Sequence, residues 1–274
     1  MSDTTVVDLS GVAETSLWTL YNRACEATRR DSLLRDPECV RIYNSIDYDF
    51  EGSFGRPDGS HALRSAIFDA ALRPWLAAHP GAAVVELGSG LETQLQRVDD
   101  GHVRWYCVDI PESIEVRERL LPPTDRCVHI RTSALDLAWI DSIRGRGPAF
   151  ISAQGLFMYF DEESARRLFT RICEAFPGSQ IMFDTVPQWF SRATLQGKAK
   201  AGNYRLPAMP WGINRRAIEA TLRSWSPRVE LVTLLPWAPV RGIRRRALSA
   251  ISRAPLVREL VPTIVRVRTR DRGR

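Results

Sequence analysis

The chain has 274 residues, 44% of them apolar and 26% charged, which suits one large domain with a substantial core; no run reaches the ~20 apolar residues of a spanning helix. The opening residues, MSDTTVVDLSG, carry no basic and apolar leader, so a cytoplasmic location is expected and neither secretion nor membrane attachment is. The net charge of +6 comes from arginine; Lys198 and Lys200 are the only lysines, and the excess gathers in VRGIRRRALSAISR and RVRTRDRGR near the C-terminus, a pattern of a solvated basic edge rather than of a nucleic-acid partner.

Residues 1–11 read as a loose lead. Apolar residues at three- and four-residue spacing (Leu17, Leu20, Tyr21, Ala24, Ala27) predict a helix within 14–34. The Gly-, Asp- and Pro-rich segment 47–60 should be a loop, with Ser60 capping a helix that Pro80-Gly81 ends. From there strand-like runs (AAVVELG, VRWYCVD, CVHIRTS, PAFISAQG, QIMFDTV) alternate with helical stretches, the clearest being SIEVRERLL and DEESARRLFTRICEAF; alternation of this kind argues for a doubly wound parallel sheet. The aromatic and Pro-rich segment about 187–215 breaks the rhythm. A helix NRRAIEATLRSW, a strand RVELVTLL, a basic helix and a last strand TIVRVRTR follow. The five cysteines (Cys25, Cys39, Cys107, Cys127, Cys173) form no CxxC or His-containing ligand spacing, so they read as reduced buried thiols and no metal is expected.

Chemistry in an open α/β sheet collects where strands end. VVELGSGLETQLQR, the first of these ends, has three readings: the nucleotide loop of a dehydrogenase, the cofactor loop of a methyltransferase, or a turn with no ligand. A dinucleotide fingerprint needs a third small residue and an approachable helix N-terminus. Here Thr93 takes that place and Glu92 sets a negative charge beside it, which argues against NAD and ATP. A cationic cofactor with ribose and adenine but no phosphate, S-adenosylmethionine, meets no such objection. The later strand ends suit it. Asp109, followed by Ile110, lies 19 residues past Gly90, where an acidic residue serves a ribose; Asp136 beside Leu137 suits an adenine; and Gln154 opens the fourth end, QGLFMY.

Four stretches, GVAETSLWTLYNRACEATRRDSLLRDPECVRIYNSIDYDF, VVELGSGLETQLQRVD, RWYCVDIPESIEVRERLLP and QGLFMYFDEESARRLF, resemble the leucine carboxyl methyltransferase family, above all its bacterial branch, which includes polyketide O-methyltransferases. The likeness runs from about residue 10 to about residue 215. It implies a class I methyltransferase (Rossmann-like) α/β fold: a seven-stranded, mostly parallel sheet with helices on both faces, in one domain spanning 1–274, with an N-terminal helical cap (about 12–58) and an added helical lid (about 187–215). It also implies S-adenosylmethionine as cofactor. By motif match Arg64 faces the methionyl carboxylate, Glu86, Gly88 and Gly90 form the cofactor loop, Asp109 and Ile110 hold the ribose, Asp136 and Leu137 the adenine, and Gln154 stands near the amine. Arg23 matches a basic residue near the active site, and Arg97 reads as structural, paired with Asp109 or Glu86. The family usually has Asp at Glu92 and Glu at Gln154, so the latter keeps hydrogen bonds and loses charge.

Methyl transfer from a sulfonium asks for alignment and exclusion of water rather than covalent help. None of His61, His79, His102 and His129 falls in the lid segment, and the lack of an evident base favours an acceptor that ionises readily, a carboxylate before a phenol. Gln154 and Tyr159 are positioning candidates; Arg23, Trp189, Phe190, Tyr204, Met209 and Trp211 are acceptor-wall candidates, with Arg192, Arg205 or Lys198 to steer an anion. The expected activity is O-methylation of a small molecule, of the polyketide type. A peptide or protein C-terminus as acceptor, a non-catalytic or nucleic-acid-binding protein, and a nicotinamide oxidoreductase are the competing readings.

Overall fold

The computed structural model describes residues 5–7, 9–143, 145, 147–197, 199–201, 204–236 and 255–271. In chain order these form β1 (Thr5–Val6), α1 (Gly11–Ala27), α2 (Pro37–Ser45), β2 (Ile46–Asp47), α3 (Phe50–Phe54), α4 (Ser60–Ala78), β3 (Ala83–Leu87), α5 (Gln94–Val98), β4 (Arg104–Asp109), α6 (Pro111–Leu120), β5 (Cys127–Arg131), α7 (Ala138–Ile143), β6 (Ala149–Ala153), α8 (Glu162–Ala175), β7 (Gln180–Thr185), α9 (Gln188–Leu195), β8 (Ala199–Ala201), β9 (Tyr204–Arg205), α10 (Arg215–Trp225), β10 (Val229–Pro236) and β11 (Thr263–Thr269). The basic helix expected within 240–253, Lys198 and the last three residues of the arginine-rich tail lie outside the described residues.

Seven strands pair in the order β10-β11-β7-β6-β3-β4-β5; β11 runs antiparallel to both its neighbours and the other adjacent pairs are parallel. The chain lays β3, β4 and β5 in one direction and then returns to set β6 and β7 on the other side of β3. That reversal opens a crevice at the carboxyl ends of β3 and β6, where α/β sheets bind ligands. β3 and β6 are buried at every residue, as central parallel strands covered on both faces must be. One face packs on α8 and α10 through Leu168, Phe169, Ile172, Ile218 and Leu222. The other face meets α4 through Phe68, Leu72 and Trp75. α8 shows how sequence sets such an element: Asp161 caps it by accepting from Ser164 N at 2.8 Å, acidic residues fill its first turn, and Ala165, Leu168, Phe169, Ile172 and Cys173 line its inner side.

Three local expectations need correction. The first helix stops at Ala27, and α2 is a separate helix begun by Asp36-Pro37: the Asp36 carboxylate accepts from Cys39 N at 2.9 Å, and a residue before proline resists helical backbone. Segment 47–60 is not all loop, because Phe50 and Phe54 bury themselves against Tyr21, Tyr43 and Tyr48 as the turn α3. Ser60 does not cap α4; it is the first helical residue, the cap position is Gly59 at φ +71°, and Asp58 Oδ1 accepts from both Ser60 N and Oγ. Within the lead, Thr5 and Val6 pair with Ile46 and Asp47 of β2.

Candidate active site

A cavity of about 370 Å³ occupies the crevice, within the ~300–1,000 Å³ usual for small-molecule sites. Its floor is the loop after β3. Gly88 N donates to Val108 O at 2.8 Å, and Gly88 and Gly90 take φ of +63° and +42°, a region L-residues avoid. Space is equally tight: a Cβ on Gly88 would stand 2.9 Å from Leu156 Cδ1, and one on Gly90 2.9 Å from Ser16 Cβ.

Three buried arginines fix this loop from below. Arg23 of α1 donates through Nη2 to Leu91 O at 2.7 Å and through Nη1 to Glu92 Oε1 and Thr93 Oγ1, both at 2.8 Å. Arg117 of α6 donates to Gly90 O and Glu92 O at 2.9 and 2.8 Å. Arg97 of α5 binds Asp69, Asp36 and Glu92. It therefore does not pair with Asp109 or Glu86 as the sequence suggested: α5 turns it down into the carboxylate cluster under the loop. Burial alone would raise the Glu92 carboxyl, but the Arg23 and Arg97 guanidinia overcome that and hold it well below the usual carboxylate range.

The cavity rim carries a spaced set of polar groups. Asp109 accepts from Gly90 N at 2.7 Å through Oδ2 and from Ile110 N at 2.8 Å through Oδ1, and the Ser113 hydroxyl also interacts with this carboxylate at the cavity rim. Burial raises its carboxyl, and those two N–H groups work against the rise. Glu86 is 2% exposed; its Oε2 accepts from Trp105 Nε1 at 3.2 Å, and burial pushes its carboxyl well above the ordinary range. Glu86 Oε1, Ser89 Oγ and Gln154 Nε2 are buried atoms of cavity-lining residues with no hydrogen-bond partner among the described residues. Orphans of this kind are costly unless a ligand meets them. Two acceptor-capable oxygens and one amide donor fit the ammonium and carboxylate ends of an amino acid. Arg64 adds a cation: its Nη1 lies 3.3 Å from Asp184 Oδ2, and Asp184 Oδ1 accepts from Gly155 N at 2.6 Å. Gly155 has φ +68°, and a Cβ there would come within 2.7 Å of Arg64 Nη1.

The structure thus brings Arg64, Glu86, Gly88, Gly90, Asp109, Ile110, Gln154, Tyr159, Phe190 and Met209 to one cavity. Burial pushes the Tyr159 hydroxyl up to about 12, so it stays protonated at neutral pH. The remaining candidates lie elsewhere. Asp136 is exposed and turned to its own helix, accepting from Thr132 Oγ1 at 3.0 Å and Ala138 N at 3.3 Å, and Leu137 packs on the core; Ser133 and Ala134 line that end instead. Arg23 is sealed under the loop rather than facing an acceptor. Trp189 is 45% exposed and donates to Leu260 O at 3.1 Å. Tyr204 packs edge-on against Trp18 and Phe54, and Trp211 lies in the core beside Phe157, Phe183 and Trp225, while Arg192 and Arg205 are exposed and away from the cavity.

Sequence reading missed Asp184, Arg117 and His61. Arg117 had a signal, a cation inside the apolar stripe Ile114, Val116, Leu120 of α6. His61 lines the cavity with Trp18 edge-on at 4.7 Å. Asn22 Oδ1 accepts from Asp58 N at 3.0 Å, which turns the Asn22 amide nitrogen to His61 Nδ1 at 2.9 Å and leaves the neutral ring proton on Nε2.

Residues 16–173 match the family model described as leucine carboxyl methyltransferase. Over 224 residues, 78% of this chain and 80% of the relative, the sequence is 32% identical to the tetracenomycin polyketide synthesis O-methyltransferase TcmP of Streptomyces glaucescens. Among solved structures, the CurJ carbon methyltransferase superposes with a TM-score of 0.55 at 13% identity, covering 94% of this chain and 68% of that one. The architecture is the class I methyltransferase fold, as the sequence implied.

Proposed function

The chain belongs to the leucine carboxyl methyltransferase family, with S-adenosylmethionine as the cofactor of its methyl transfer, and on that premise we propose that it methylates an oxygen of a small apolar molecule, of the polyketide type, at a carboxylate or phenolic hydroxyl. The observation that carries the reading is the division of the cavity. Polar groups at the ends of β3, β4 and β6 suit an amino acid joined to a nucleoside. The opposite wall, with Met158, Val186, Phe190 and Met209, is apolar and suits a flat, poorly hydrated acceptor.

Bound there, the cofactor supplies a methyl group activated on a sulfonium. Asp109 would hold the ribose diol, Arg64 the carboxylate, and Glu86 Oε1 with Ser89 Oγ the ammonium. The apolar wall excludes water and aligns the acceptor oxygen with the methyl carbon. The reading assigns no general base, and an acceptor oxygen that reaches the site ionised, a carboxylate before a phenol, needs none. The test is incubation with methyl-labelled cofactor and a panel of aromatic carboxylic acids, phenols and peptides ending in leucine. A labelled ester or aryl ether of a small aromatic is expected; label on the peptide C-terminus alone, or on none of the acceptors, would refute the reading.

A further inference from the structure

Behind the cofactor loop, one face of the sheet gathers three side chains that methyl transfer does not use. Cys107 of β4 and His129 of β5 are register partners, and Cys127 lies two residues back on β5, so all three project to the same face. Their ligating atoms lie within 4.8 Å of one another, with the two Sγ atoms 4.0 Å apart. The His129 side chain is 2% exposed, and neither of its ring nitrogens has a hydrogen-bond partner among the described residues. A buried imidazole left without a bond on both nitrogens is expensive. Its Nδ1 lies 3.6 Å from Glu118 Oε1, which leaves Nε2 for the cysteines.

We propose that Cys107, Cys127 and His129 form a binding site for a soft divalent cation of the zinc class, with Glu118 orienting the imidazole through Nδ1. Zinc bonds to thiolate at ~2.3 Å and to imidazole at roughly 2.0–2.1 Å, so tetrahedral ligand atoms stand about 3.4–3.8 Å apart, and no pair in this cluster needs to close by more than about 1.4 Å. Glu86 Oε2, 3.9 Å from Cys107 Sγ, stands beside the fourth position. Charge balances: the cation displaces the two thiol protons, two thiolates and a neutral imidazole neutralise it, and no net charge is added next to Arg117, whose Nη2 is 3.9 Å from Glu86 Oε2. The carboxylate–histidine–metal relay is the arrangement that fixes a ligand tautomer. β5 is an edge strand and the Glu118 side chain is 27% exposed, which gives an ion a path from solvent. Cys127 and His129 follow Cys107 by 20 and 22 residues, a spacing with no metal signature, and strand pairing brings Cys107 to the other two.

The test uses the full chain, reduced and freed of metal by a chelator, titrated with Co2+ and then with Zn2+. One equivalent of Co2+ should raise a thiolate-to-cobalt charge-transfer band that Zn2+ abolishes. Cys127→Ser should lose the band, and Glu118→Gln should weaken binding ~10–100-fold while leaving the band's shape unchanged. A titration without thiolate charge transfer, or a band that persists in both Cys107→Ser and Cys127→Ser, overturns the assignment. Should the cysteine variants not fold, X-ray absorption of the zinc-loaded wild-type chain decides alone: two sulfur ligands support the site and fewer refute it.

Discussion

Asp109 is where a single side chain carries both the loop and the ligand. Asp109→Ala removes two backbone hydrogen bonds and the proposed diol acceptor, and charge-assisted hydrogen bonds contribute ~1.5–3 kcal/mol each. Cofactor affinity measured by calorimetry should fall by about 3 kcal/mol with the far-ultraviolet circular dichroism unchanged; unaltered affinity would remove Asp109 from the ribose. At Gln154 the amide nitrogen is buried with no hydrogen-bond partner among the described residues, while Oε1 accepts from Ser65 Oγ at 3.5 Å. Gln154→Glu places a carboxylate near a cationic ligand, and cofactor binding should tighten or hold; a clear loss would assign the side chain to the acceptor. Glu92 shows what spacing cannot disclose. Read in sequence it was a stray charge next to a glycine loop, whereas in the fold two guanidinia from α1 and α5 consume it. Since its folded carboxyl is depressed, its contribution to stability is complete above the unfolded value near ~4.3 and drains away as pH falls below it. Glu92→Gln, which leaves buried arginines short of a counter-charge, should cost on the order of 3 kcal/mol in urea melts at neutral pH and flatten that acid limb; an acid limb as steep as the parent's would show that other carboxylates carry it.

Whole strands were legible because parallel strands covered on both faces are continuous apolar runs, and their polar ends stand out against them. Glu86, Asp109 and Gln154 are visible for that reason. Asp184 was hidden at the end of QIMFDT because its partners, Gly155 N and Arg64, come from segments 29 and 120 residues away. Asp136 stands just before a short helix and accepts from Thr132 Oγ1 and Ala138 N. Among the connections, Gly155 follows from the same geometry as Arg64, since any side chain at that position meets the guanidinium. Gly155→Ala should cost roughly 1–2 kcal/mol of stability from its left-handed backbone. It should also weaken cofactor binding more than acceptor binding; equal stability and equal affinity would mean that the loop relaxes without displacing Arg64. The aromatic segment 187–214 was the least legible, because Phe190 and Met209 reach the cavity while Trp189, Tyr204 and Trp211 turn to surface, cap and core. Composition alone does not sort them.

At the scale of the molecule, one cavity joins cap, sheet and the segment after β7, so a ligand that fills it ties the three together. A ligand at 100 times its Kd adds about 2.7 kcal/mol, and ~2–4 °C per kcal/mol is usual for chains of this size. S-adenosylhomocysteine should therefore raise Tm by about 5–10 °C, and NADPH should leave it unchanged; the reverse pattern would revive the nicotinamide reading. The arginine that α1 sends under the loop also dictates how such a molecule can open. To swing α1 aside, Arg23 would have to leave Glu92, Asp36 and Leu91 O, and a buried ion pair broken in this way costs ~3–5 kcal/mol. Across the cavity, Met209 is held to α9 by two hydrogen bonds, Ser191 Oγ donating to Met209 O and Met209 N donating to Thr194 Oγ1, contacts of ~0.5–1.5 kcal/mol each. Displacing α1 from the cavity therefore costs more than displacing Met209.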